Sequence, residues 1–232
     1  MATYNGEKFI KEQLDSILKN PVDEVIISDD GSTDKTCEII NSYNDKRIKL
    51  IAGPKKGVKQ NFANAIKHTT GDIIFLSDQD DIWENDKVEK VLATFEKNPE
   101  LMLVTHDAKI LTMENNKIAD ESNMERLKAR SGYFENILRN TYTGCCMAIK
   151  ADLKKYILPI PNNIEMHDQW IGVIACKYGK DVMIKSKLIT YRRHASNVSA
   201  LEHYPMSKML KNRINLIKEL NARARKVKRE SK

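Results

Sequence analysis

Three carboxylates crowd the end of a short apolar stretch in the sequence Asp72-Ile-Ile-Phe-Leu-Ser-Asp-Gln-Asp-Asp-Ile-Trp83. Asp78, Asp80 and Asp81 directly follow residues 73–77, whose apolar run predicts a buried strand. Because neighbouring carboxylates oppose each other's ionisation, either protonation or a divalent cation must relieve the repulsion. Oxygen donors on a flexible turn suit a hard ion such as Mg²⁺ or Mn²⁺. The alternative is a solvated loop in which Asp80 or Asp81 caps the next helix.

A second acidic loop, Asp29-Asp-Gly-Ser-Thr-Asp34, follows another predicted strand at residues 22–28. Ligands of open α/β sheets bind beyond the carboxyl ends of the strands. We therefore expect both acidic loops to face one crevice at the same edge of the sheet, which indicates an active site. Asp, Ser and Thr also cap helices well, so a simple capping turn is the alternative for Asp29 and Asp30.

The elements that must position these loops alternate through the first half of the chain. Strands are predicted at residues 22–28, 47–52, 73–77 and 101–106, and helices at 6–20, after residue 34, after residue 57 and at 85–97. This alternation predicts βαβ units, and hence an α/β fold with a mostly parallel central sheet flanked by helices. Beyond residue 107 the alternation weakens, with helices predicted at 131–139 and 166–176 and strands at 145–149 and 182–191.

The composition fits one soluble globular domain. The 232 residues are 41% hydrophobic and 31% charged, and no apolar run approaches the roughly 20 residues of a membrane span. No signal peptide opens the sequence, so we expect a cytoplasmic location. The four cysteines lack zinc-ligand spacing and the adjacent Cys145 and Cys146 would pair badly, which favours reduced thiols.

The basic character of the chain lies in its tail. Residues 205–232 contain ten Lys or Arg against two Glu, whereas the whole chain has a net charge of +7, so residues 1–204 are close to neutral. A body without a basic face argues against nucleic-acid binding. Residues 206–229 place apolar side chains on one side of a basic amphipathic helix, which is typical of contact with the inner face of a membrane. Packing on the catalytic domain is the alternative.

Four motifs occur in a fixed order: Ala2-Thr-Tyr-Asn-Gly6, the Asp29–Asp34 loop, Asp78-Gln-Asp-Asp81 and His167-Asp-Gln-Trp170. Together they resemble glycosyltransferase family 2, whose members are inverting enzymes with a GT-A fold that use nucleotide-diphosphate sugars. The form Ser77-Asp-Gln-Asp-Asp-Ile-Trp83, with Tyr191-Arg-Arg-His194 and Asn197-Val-Ser199 downstream, most resembles the rhamnosyltransferase-like branch. The resemblance implies a GT-A domain over residues 1–204, with nucleotide-sugar binding in about 1–107 and acceptor binding in about 108–204, followed by the helix at 205–232.

The resemblance also implies roles for residues that bind the nucleotide. Asp30 would contact a pyrimidine base, and Thr3 and Tyr4 would line the pocket of that base. Asp78 and Asp80 match the D-x-D element, with Asp80 near the ribose. Neither a G-x-G-x-x-G after a strand nor a P-loop occurs, so a diphosphate would need a metal and basic side chains. Lys59 could face the diphosphate, although a solvated helix face explains it equally well.

A divalent metal, Mg²⁺ or Mn²⁺, is the cofactor that the resemblance implies. Asp80 and Asp81 would bind it, and His194 could complete the set of ligands, although a lone histidine is more often structural. The leaving nucleoside diphosphate gains negative charge as the sugar–oxygen bond breaks, and a bound cation stabilises that charge.

Asp168 is the candidate catalytic base, because inversion needs a carboxylate that takes the proton of the acceptor hydroxyl as its oxygen attacks the sugar. Beside it, Trp170 could stack on an acceptor sugar. The alternatives are a helix N-cap for Asp168 and a core aromatic for Trp170.

The start of the chain departs from the family pattern. Relatives have an apolar strand before the Thr-Tyr-Asn motif, whereas this sequence opens at Met1-Ala2. A vacant central position in the sheet would expose backbone donors and acceptors on both neighbouring strands. We therefore expect the natural start to lie several residues upstream.

The reading that these observations favour is a metal-dependent transferase. It would move a sugar, L-rhamnose from a dTDP or related UDP donor, onto a saccharide or lipid-linked saccharide of the cell surface. One alternative is a membrane-associated scaffold with a degenerate nucleotide site. The other, a phosphohydrolase of the haloacid dehalogenase type, needs a D-x-D-x-[TV] loop after the first strand, which neither acidic loop provides.

Overall fold

The computed structural model describes residues 1–114, 116–194 and 205–230, so the Asn197-Val-Ser199 motif lies outside the described residues. The strands are β1 (Ala2–Thr3), β2 (Val25–Asp29), β3 (Ile48–Ala52), β4 (Ile73–Phe75), β5 (Ile82–Trp83), β6 (Leu101–Thr112), β7 (Lys117–Ile118), β8 (Met147–Lys150) and β9 (Lys180–Arg193). The helices are α1 (Ile10–Leu18), α2 (Thr36–Asn41), α3 (Val58–His68), α4 (Lys87–Lys97), α5 (Asn123–Leu127), α6 (Tyr133–Leu138), α7 (Lys154–Ile157), α8 (His167–Tyr178) and α9 (Met206–Glu230).

The strands form two sheets. The first has the order β1-β2-β3 and is entirely parallel, with Ala2 opposite Ser28 and Val25 opposite Ile48. The second has the order β4-β8-β6-β9-β5, with β7 paired to β6. Within it only β6 and β9 run parallel, and the other pairs are antiparallel.

The α/β fold flanked by helices is thus confirmed, but the sheet is mixed rather than mostly parallel. The entirely parallel first sheet comes from the first half of the chain, where helices connect successive strands, as parallel pairing requires. In the second half the alternation of strands and helices is lost. β8 accordingly enters between β4 and β6 in the opposite direction, after a short 3₁₀ turn at Gly144–Cys146.

β1 joins the two sheets at the edge where both acidic loops emerge. Its residues pair with β2, and the Ala2 amide lies 3.4 Å from the carbonyl oxygen of Ser77, which follows β4. β1 is only two residues long. Below it, a cavity of about 340 Å³ separates the remainder of β2 from β4, lined mainly by apolar side chains that include Ile26, Ile74 and Leu92.

Helix α8 is buried along most of its length and forms the centre of the largest core cluster. Its residues Trp170, Ile171 and Ile174 are completely buried. Helix α9 packs on this cluster through Leu216 and Leu220. Within the described residues no helix is long and apolar enough to cross a bilayer.

Candidate active site

The loop after β2 is organised by the carboxylate of Asp29. Its Oδ1 accepts a hydrogen bond from the Thr3 hydroxyl (2.9 Å), and its Oδ2 accepts from the backbone amides of Gly31 (3.1 Å) and Ser32 (2.8 Å). Burial alone would raise the pKa of Asp29, but the hydrogen bonds from Ser32 and Thr3 outweigh it and lower the pKa. Gly31 adopts φ +97°, a conformation that favours glycine, so the turn is closed by backbone and side chain together.

Asp30 and Tyr4 present polar groups above this turn. The carboxylate of Asp30 accepts hydrogen bonds from the backbone amides of Lys56 (3.3 Å) and Gly57 (2.7 Å), and so ties the loop to the start of α3. Tyr4 is 57% exposed, whereas Thr3 is buried and already bonded to Asp29. The edge of the first sheet therefore offers an exposed phenol beside a rigid loop.

Gln79 connects this edge to the second acidic loop. Its side-chain amide exchanges two hydrogen bonds with the backbone of Tyr4: Oε1 accepts from the amide N (2.9 Å), and Nε2 donates to the carbonyl (3.0 Å). A Cβ on Gly6 would lie 2.4 Å from Oε1 of Gln79, so this approach requires glycine at position 6. The two loops are thereby held in one fixed arrangement.

Asp80 forms the outer part of the acidic pocket with His194. The Oδ2 of Asp80 lies 2.9 Å from Nε2 of His194, and the imidazole stacks on the ring of Phe9, with 4.8 Å between centroids. The buried guanidinium of Arg192 also lies over the Phe9 ring, 5.4 Å from its centroid, and forms an ion pair with Glu12. Helix α1 thus supports the end of β9 beside the acidic loop.

Asp78, Asp81 and Cys145 form the inner part of the pocket. One potential ligand atom from each lies within 4.8 Å of the others. The backbone amide of Arg192 donates to Oδ1 of Asp81, while Oδ2 of Asp81 is buried without a hydrogen-bond partner among the described residues. A buried oxygen without a donor is costly unless a cation occupies the pocket. These residues therefore fit a divalent metal.

The electrostatics of the pocket indicate strong crowding of negative charge. Burial, reinforced by the charges of Asp80 and Asp81, raises the pKa of Asp78 well above its usual range. Burial and the charge of Asp80 raise the pKa of Asp81 to about 7. Burial also raises the pKa of Asp80, against the opposing effect of His194. A bound cation would favour the ionised form of all three.

Lys87 supplies a positive charge from the protein interior. It is completely buried at the start of α4, donates to the carbonyl oxygen of Cys145 (3.1 Å), and lies 3.9 Å from the centroid of the Trp83 ring. Burial lowers the pKa of Lys87 to about 8, although the charges of Asp81 and Asp78 act in the opposite direction. The ammonium of Lys87 therefore offsets part of the negative charge of Asp78 and Asp81 from the interior side of the pocket.

Asp168 lies in the first turn of α8 and faces the same pocket. Its Oδ1 accepts from Nδ2 of Asn140 (3.0 Å) and from the backbone amide of Gln169 (2.6 Å). Burial raises the pKa of Asp168 to about 6 despite these bonds. The charge of Asp168 in turn contributes to the raised pKa of Asp78. The structure therefore brings a fourth carboxylate, from the start of a helix, to the three of the acidic loop.

The sequence profile of glycosyl transferase family 2 matches residues 1–157, which is more than half of the chain. The chain belongs to glycosyltransferase family 2. This membership confirms the family that the four motifs suggest.

Relatives of this glycosyltransferase include the dTDP-rhamnosyl transferase RfbG of Shigella flexneri, which is 32% identical over 219 residues, covering 85% of this chain and 72% of that protein. An uncharacterised protein of Mycobacterium tuberculosis is 26% identical over 205 residues, and here the match covers 84% of this chain but only 58% of that protein. The chain thus spans little more than half the length of its mycobacterial relatives.

Solved structures share the fold of this glycosyltransferase. Residues 1–349 of Staphylococcus aureus TarS in complex with UDP-GlcNAc superpose with a TM-score of 0.73 at 17% identity, over 96% of this chain and 64% of that one. The mannosyltransferase PcManGT of Pyrobaculum calidifontis, in complex with GDP-Man and Mn²⁺, gives a TM-score of 0.60 at 19% identity, over 82% and 54%. Both likenesses support the GT-A fold.

Two residues assigned from the sequence of this glycosyltransferase, Trp170 and Lys59, make contacts that bear on their assignments. Trp170 is fully buried, its indole N–H donates to the carbonyl oxygen of Ile157 (2.9 Å), and Arg223 lies over its ring. A ring without exposed surface cannot stack on an acceptor, so that assignment is wrong and Trp170 is a core residue. The ammonium of Lys59 donates to the carbonyl oxygens of Asn162 (2.8 Å) and Ile164 (2.5 Å), which leaves its role toward a diphosphate a prediction.

Several pocket residues of this glycosyltransferase escape sequence reasoning. Gln79 lies inside a motif chosen for its carboxylates, and Lys87 resembles any helix lysine. Cys145 is distant in sequence from the acidic loop, and its spacing carries no metal signature. Phe9 and Glu12 match an ordinary amphipathic helix. Only Gln79 could have been found, because a polar residue between two carboxylates at a strand end has a special position.

Proposed function

We propose that the protein is a metal-dependent inverting glycosyltransferase that moves a sugar from a nucleotide-diphosphate donor to a saccharide acceptor. The observation that carries this proposal is the juxtaposition of Asp168, with its raised pKa, and the acidic pocket of Asp78, Asp80 and Asp81. One carboxylate can accept a proton while the others serve the leaving diphosphate. A scaffold protein would need neither a proton-accepting carboxylate nor a pocket of carboxylates for a leaving diphosphate.

The donor that we propose is dTDP-L-rhamnose. The support is the name of the Shigella relative, a dTDP-rhamnosyl transferase, together with its coverage of most of this chain. A UDP-sugar is the second choice, since a shorter match of 34% identity over 101 residues joins this chain to a UDP-Glc-dependent glucosyltransferase of Escherichia coli. Tyr4 and Asp30 would bind the base, and the buried Thr3 would line its pocket from behind through the hydrogen bond to Asp29. Asp80 would bind the ribose. Lys59 would reach the diphosphate only by leaving the carbonyl oxygens of Asn162 and Ile164.

We propose that Asp78, Asp80 and Asp81 hold the divalent metal, Mg²⁺ or Mn²⁺, with His194 and the Cys145 thiol adjoining them. The support is the donor set itself and the Oδ2 of Asp81, which is buried without a hydrogen-bond partner in the described part of the chain. When bound, the ion acts as a Lewis acid toward the diphosphate oxygens. Oxygen ligands dominate the site, which favours these hard ions over thiophilic ones.

In the proposed reaction Asp168 takes the proton of the acceptor hydroxyl. The hydroxyl oxygen forms a bond to C1 of the sugar on the face opposite the nucleotide, and the bond from C1 to the phosphate oxygen breaks. The proton goes to the Asp168 carboxylate, and the electron pair leaves with the nucleoside diphosphate. Asn140 and the amide of Gln169 both donate to Oδ1 of Asp168 and so orient the carboxylate.

The acceptor that we propose is a saccharide, or a lipid-linked saccharide, of a cell-surface polysaccharide. The basic helix α9 would then contact the inner face of the membrane. The support is the exposure of its basic residues and the alpha-D-GlcNAc-diphosphoundecaprenol in the name of the Escherichia coli relative.

The test is release of nucleoside diphosphate from a panel that includes dTDP-L-rhamnose, UDP-glucose and UDP-GlcNAc, with and without Mn²⁺. We expect metal-dependent release with one donor, and its loss in Asp81→Asn. Asp72→Asn, an exposed aspartate at the start of the same strand, is the matched control and should retain activity. Nucleotide binding without turnover by any donor and acceptor pair would favour the scaffold instead.

A further inference from the structure

Exposed apolar side chains are concentrated on two helices. Among the described residues nine large hydrophobic side chains are exposed, and six of them belong to α6 or α9. They are Phe134 and Leu138 of α6 and Met206, Leu210, Ile214 and Ile217 of α9, with exposed fractions between 44% and 86%. Single exposed hydrophobics are ordinary on a protein surface, but a contiguous group of this size marks an interaction site.

The six side chains form one surface, which we call the α6–α9 surface. The four residues of α9 follow one another at intervals of four, four and three, and the two of α6 are four apart, so each set occupies one helix face. The helices adjoin, since Nε of Arg213 donates to the carbonyl oxygen of Leu138 (2.8 Å). Leu138 thus lies beside the turn of α9 that carries Ile214.

This surface is not required to attach α9 to the protein. A different face of the helix does that, through the buried Leu216 and Leu220. Arg223 adds hydrogen bonds from its guanidinium to the carbonyl oxygens of Leu158 (2.8 Å) and Pro159 (2.6 Å). Among the described residues nothing covers the apolar residues of the α6–α9 surface, so they are available to a partner.

Basic residues border the apolar stripe on its solvent side. Lys211, Lys218 and Arg225 are exposed, and helical spacing puts them on the flank of α9 opposite the buried face. Glu219, one of the two acidic residues of α9, instead accepts a hydrogen bond from Asn163 of the catalytic body (2.8 Å). An apolar stripe with a basic border matches the boundary between acyl chains and anionic headgroups.

We propose that the α6–α9 surface docks the protein on an anionic lipid bilayer, with Phe134 and Leu138 inserted alongside the stripe of α9. A second copy of the chain is the less suitable occupant, because a two-fold contact through this face would bring basic borders together. The proposal extends membrane contact from the C-terminal helix to a second helix of the catalytic body.

Docking through α6 would also orient the active site. Asn140 lies two residues after the end of α6, and its side chain donates to Asp168 (3.0 Å). The candidate base therefore lies one short loop away from the surface that faces the bilayer. In this one respect the inference rests on the proposed function, since a lipid-linked acceptor would arrive from that side.

The experiment is cosedimentation of the full chain with vesicles of phosphatidylcholine alone or mixed with phosphatidylglycerol. We expect binding to the anionic vesicles, at least tenfold weaker binding to neutral ones, and weakening by added salt. The double variant Leu210→Gln with Ile214→Gln should bind at least tenfold more weakly, and Phe134→Gln alone should weaken binding measurably. Ile118→Gln, at an exposed apolar residue of β7, is the control that should bind as the parent does.

Three outcomes would overturn the proposal. The first is equal vesicle binding by the parent and by folded variants, as judged from their melting temperatures. The second is loss of vesicle binding in the α9 double variant while Phe134→Gln binds as the parent does, which would exclude α6 from the docking surface. The third is a dimer in sedimentation velocity that Leu210→Gln dissociates, which would assign the surface to a second copy. Transfer to a water-soluble acceptor by the parent tests the proposed function separately, because it requires no vesicle.

Discussion

At the scale of single residues, Asp168 combines the properties that a general base requires. It is buried, one of its oxygens is held by Asn140 and by the amide of Gln169, and burial raises its pKa to about 6. A base with a pKa just below the working pH is ionised yet still basic enough to accept a proton.

The pH dependence of transfer follows from this pKa. Asp168 must be ionised to act, so we expect kcat/KM to fall about tenfold for each pH unit below about 6. The measurement is the pH profile of diphosphate release with saturating Mn²⁺. A profile that stays level down to pH 4.5 would contradict the role of Asp168.

Replacement of Asp168 should separate activity from stability. Asp168→Asn should lower kcat by about 10²–10⁴-fold, since the base is removed. The folded-state pKa lies above the ordinary value of 3.8, so ionisation of Asp168 costs stability as the pH rises from about 4 to about 6. The free energy of unfolding of the variant should therefore exceed that of the parent at pH 7 by about 1–3 kcal/mol. At pH 3, where Asp168 is protonated in both states, the variant and the parent should be equally stable.

Asp152→Asn, at an exposed aspartate, is the control for these measurements and should change neither kcat nor the free energy of unfolding. A variant that retains full activity would show that the base lies elsewhere. A variant that melts lower than the parent at pH 7 would show that the carboxylate stabilises the fold.

Gln79 is expected to support nucleotide binding because it joins the Asp78–Asp81 loop to the backbone of Tyr4. Gln79→Ala removes two hydrogen bonds to the Tyr4 backbone, worth about 0.5–1.5 kcal/mol each. We expect about tenfold weaker nucleotide binding by calorimetry, because the two loops lose their fixed arrangement. Gln60→Ala, which also removes two hydrogen bonds but joins α3 to residues 160 and 162, should leave nucleotide affinity within about twofold. Equal effects of the two variants would contradict the bridging role.

At the scale of secondary-structure elements, the packing of α8 depends on a glycine in its middle. A Cβ at position 172 would lie 2.2 Å from two ring carbons of Tyr142. That ring is fixed, because the Tyr142 hydroxyl donates to Asp181 (2.7 Å) at the start of β9. Helix α8, the Thr141–Tyr142 segment and β9 therefore interlock around this one position.

Gly172→Ala should consequently destabilise the protein although alanine favours helix. The gain in helix propensity is about 1 kcal/mol, but the clash forces the ring or the helix to move and costs about 1–3 kcal/mol or more. The measurement is urea unfolding at fixed pH. Gly71→Ala, where a Cβ would meet only the carbonyl oxygen of Ile73 at an ordinary contact distance of 3.9 Å, is the control and should leave the midpoint nearly unchanged. A Gly172→Ala midpoint equal to or above that of the parent would contradict the packing argument.

At the scale of the whole molecule, the acidic pocket couples ligand binding to folding. Asp78 and Asp81 follow β4, Cys145 precedes β8, and Asp168 lies in the first turn of α8, so the pocket exists only when the second sheet and α8 are assembled. A ligand that binds this assembly but not the unfolded chain stabilises the fold by mass action.

Mn²⁺ together with the donor's nucleoside diphosphate should therefore raise the melting temperature. At a hundred times the dissociation constant the gain is about 2.7 kcal/mol. Differential scanning calorimetry measures it, and the shift should require both ligands. The shift should vanish in Asp81→Asn and persist in Asp72→Asn. A shift with nucleotide alone, undiminished by chelators, would show that the metal does not take part.

The sequence by itself determined the parts of this protein that depend on local patterns. Apolar periodicity identified α1, α3, α4 and α8 to within a few residues, and strand-end positions of carboxylates marked the acidic loops. The order of four short motifs was sufficient for the family. Such features are legible because helix and strand periods, turn residues and motif spacing are properties of neighbouring residues.

Only the tertiary structure decided how distant segments meet. β6 and β9 pair in parallel across some eighty residues, Cys145 and Lys87 join the acidic loop, and Trp170 lies in the core beneath Asp168 instead of beside an acceptor. A helix that is apolar on nearly every side gives no periodic signal of which residue faces the pocket. Long-range pairing and burial depend on the shapes of all the packed elements together, and no local pattern records them.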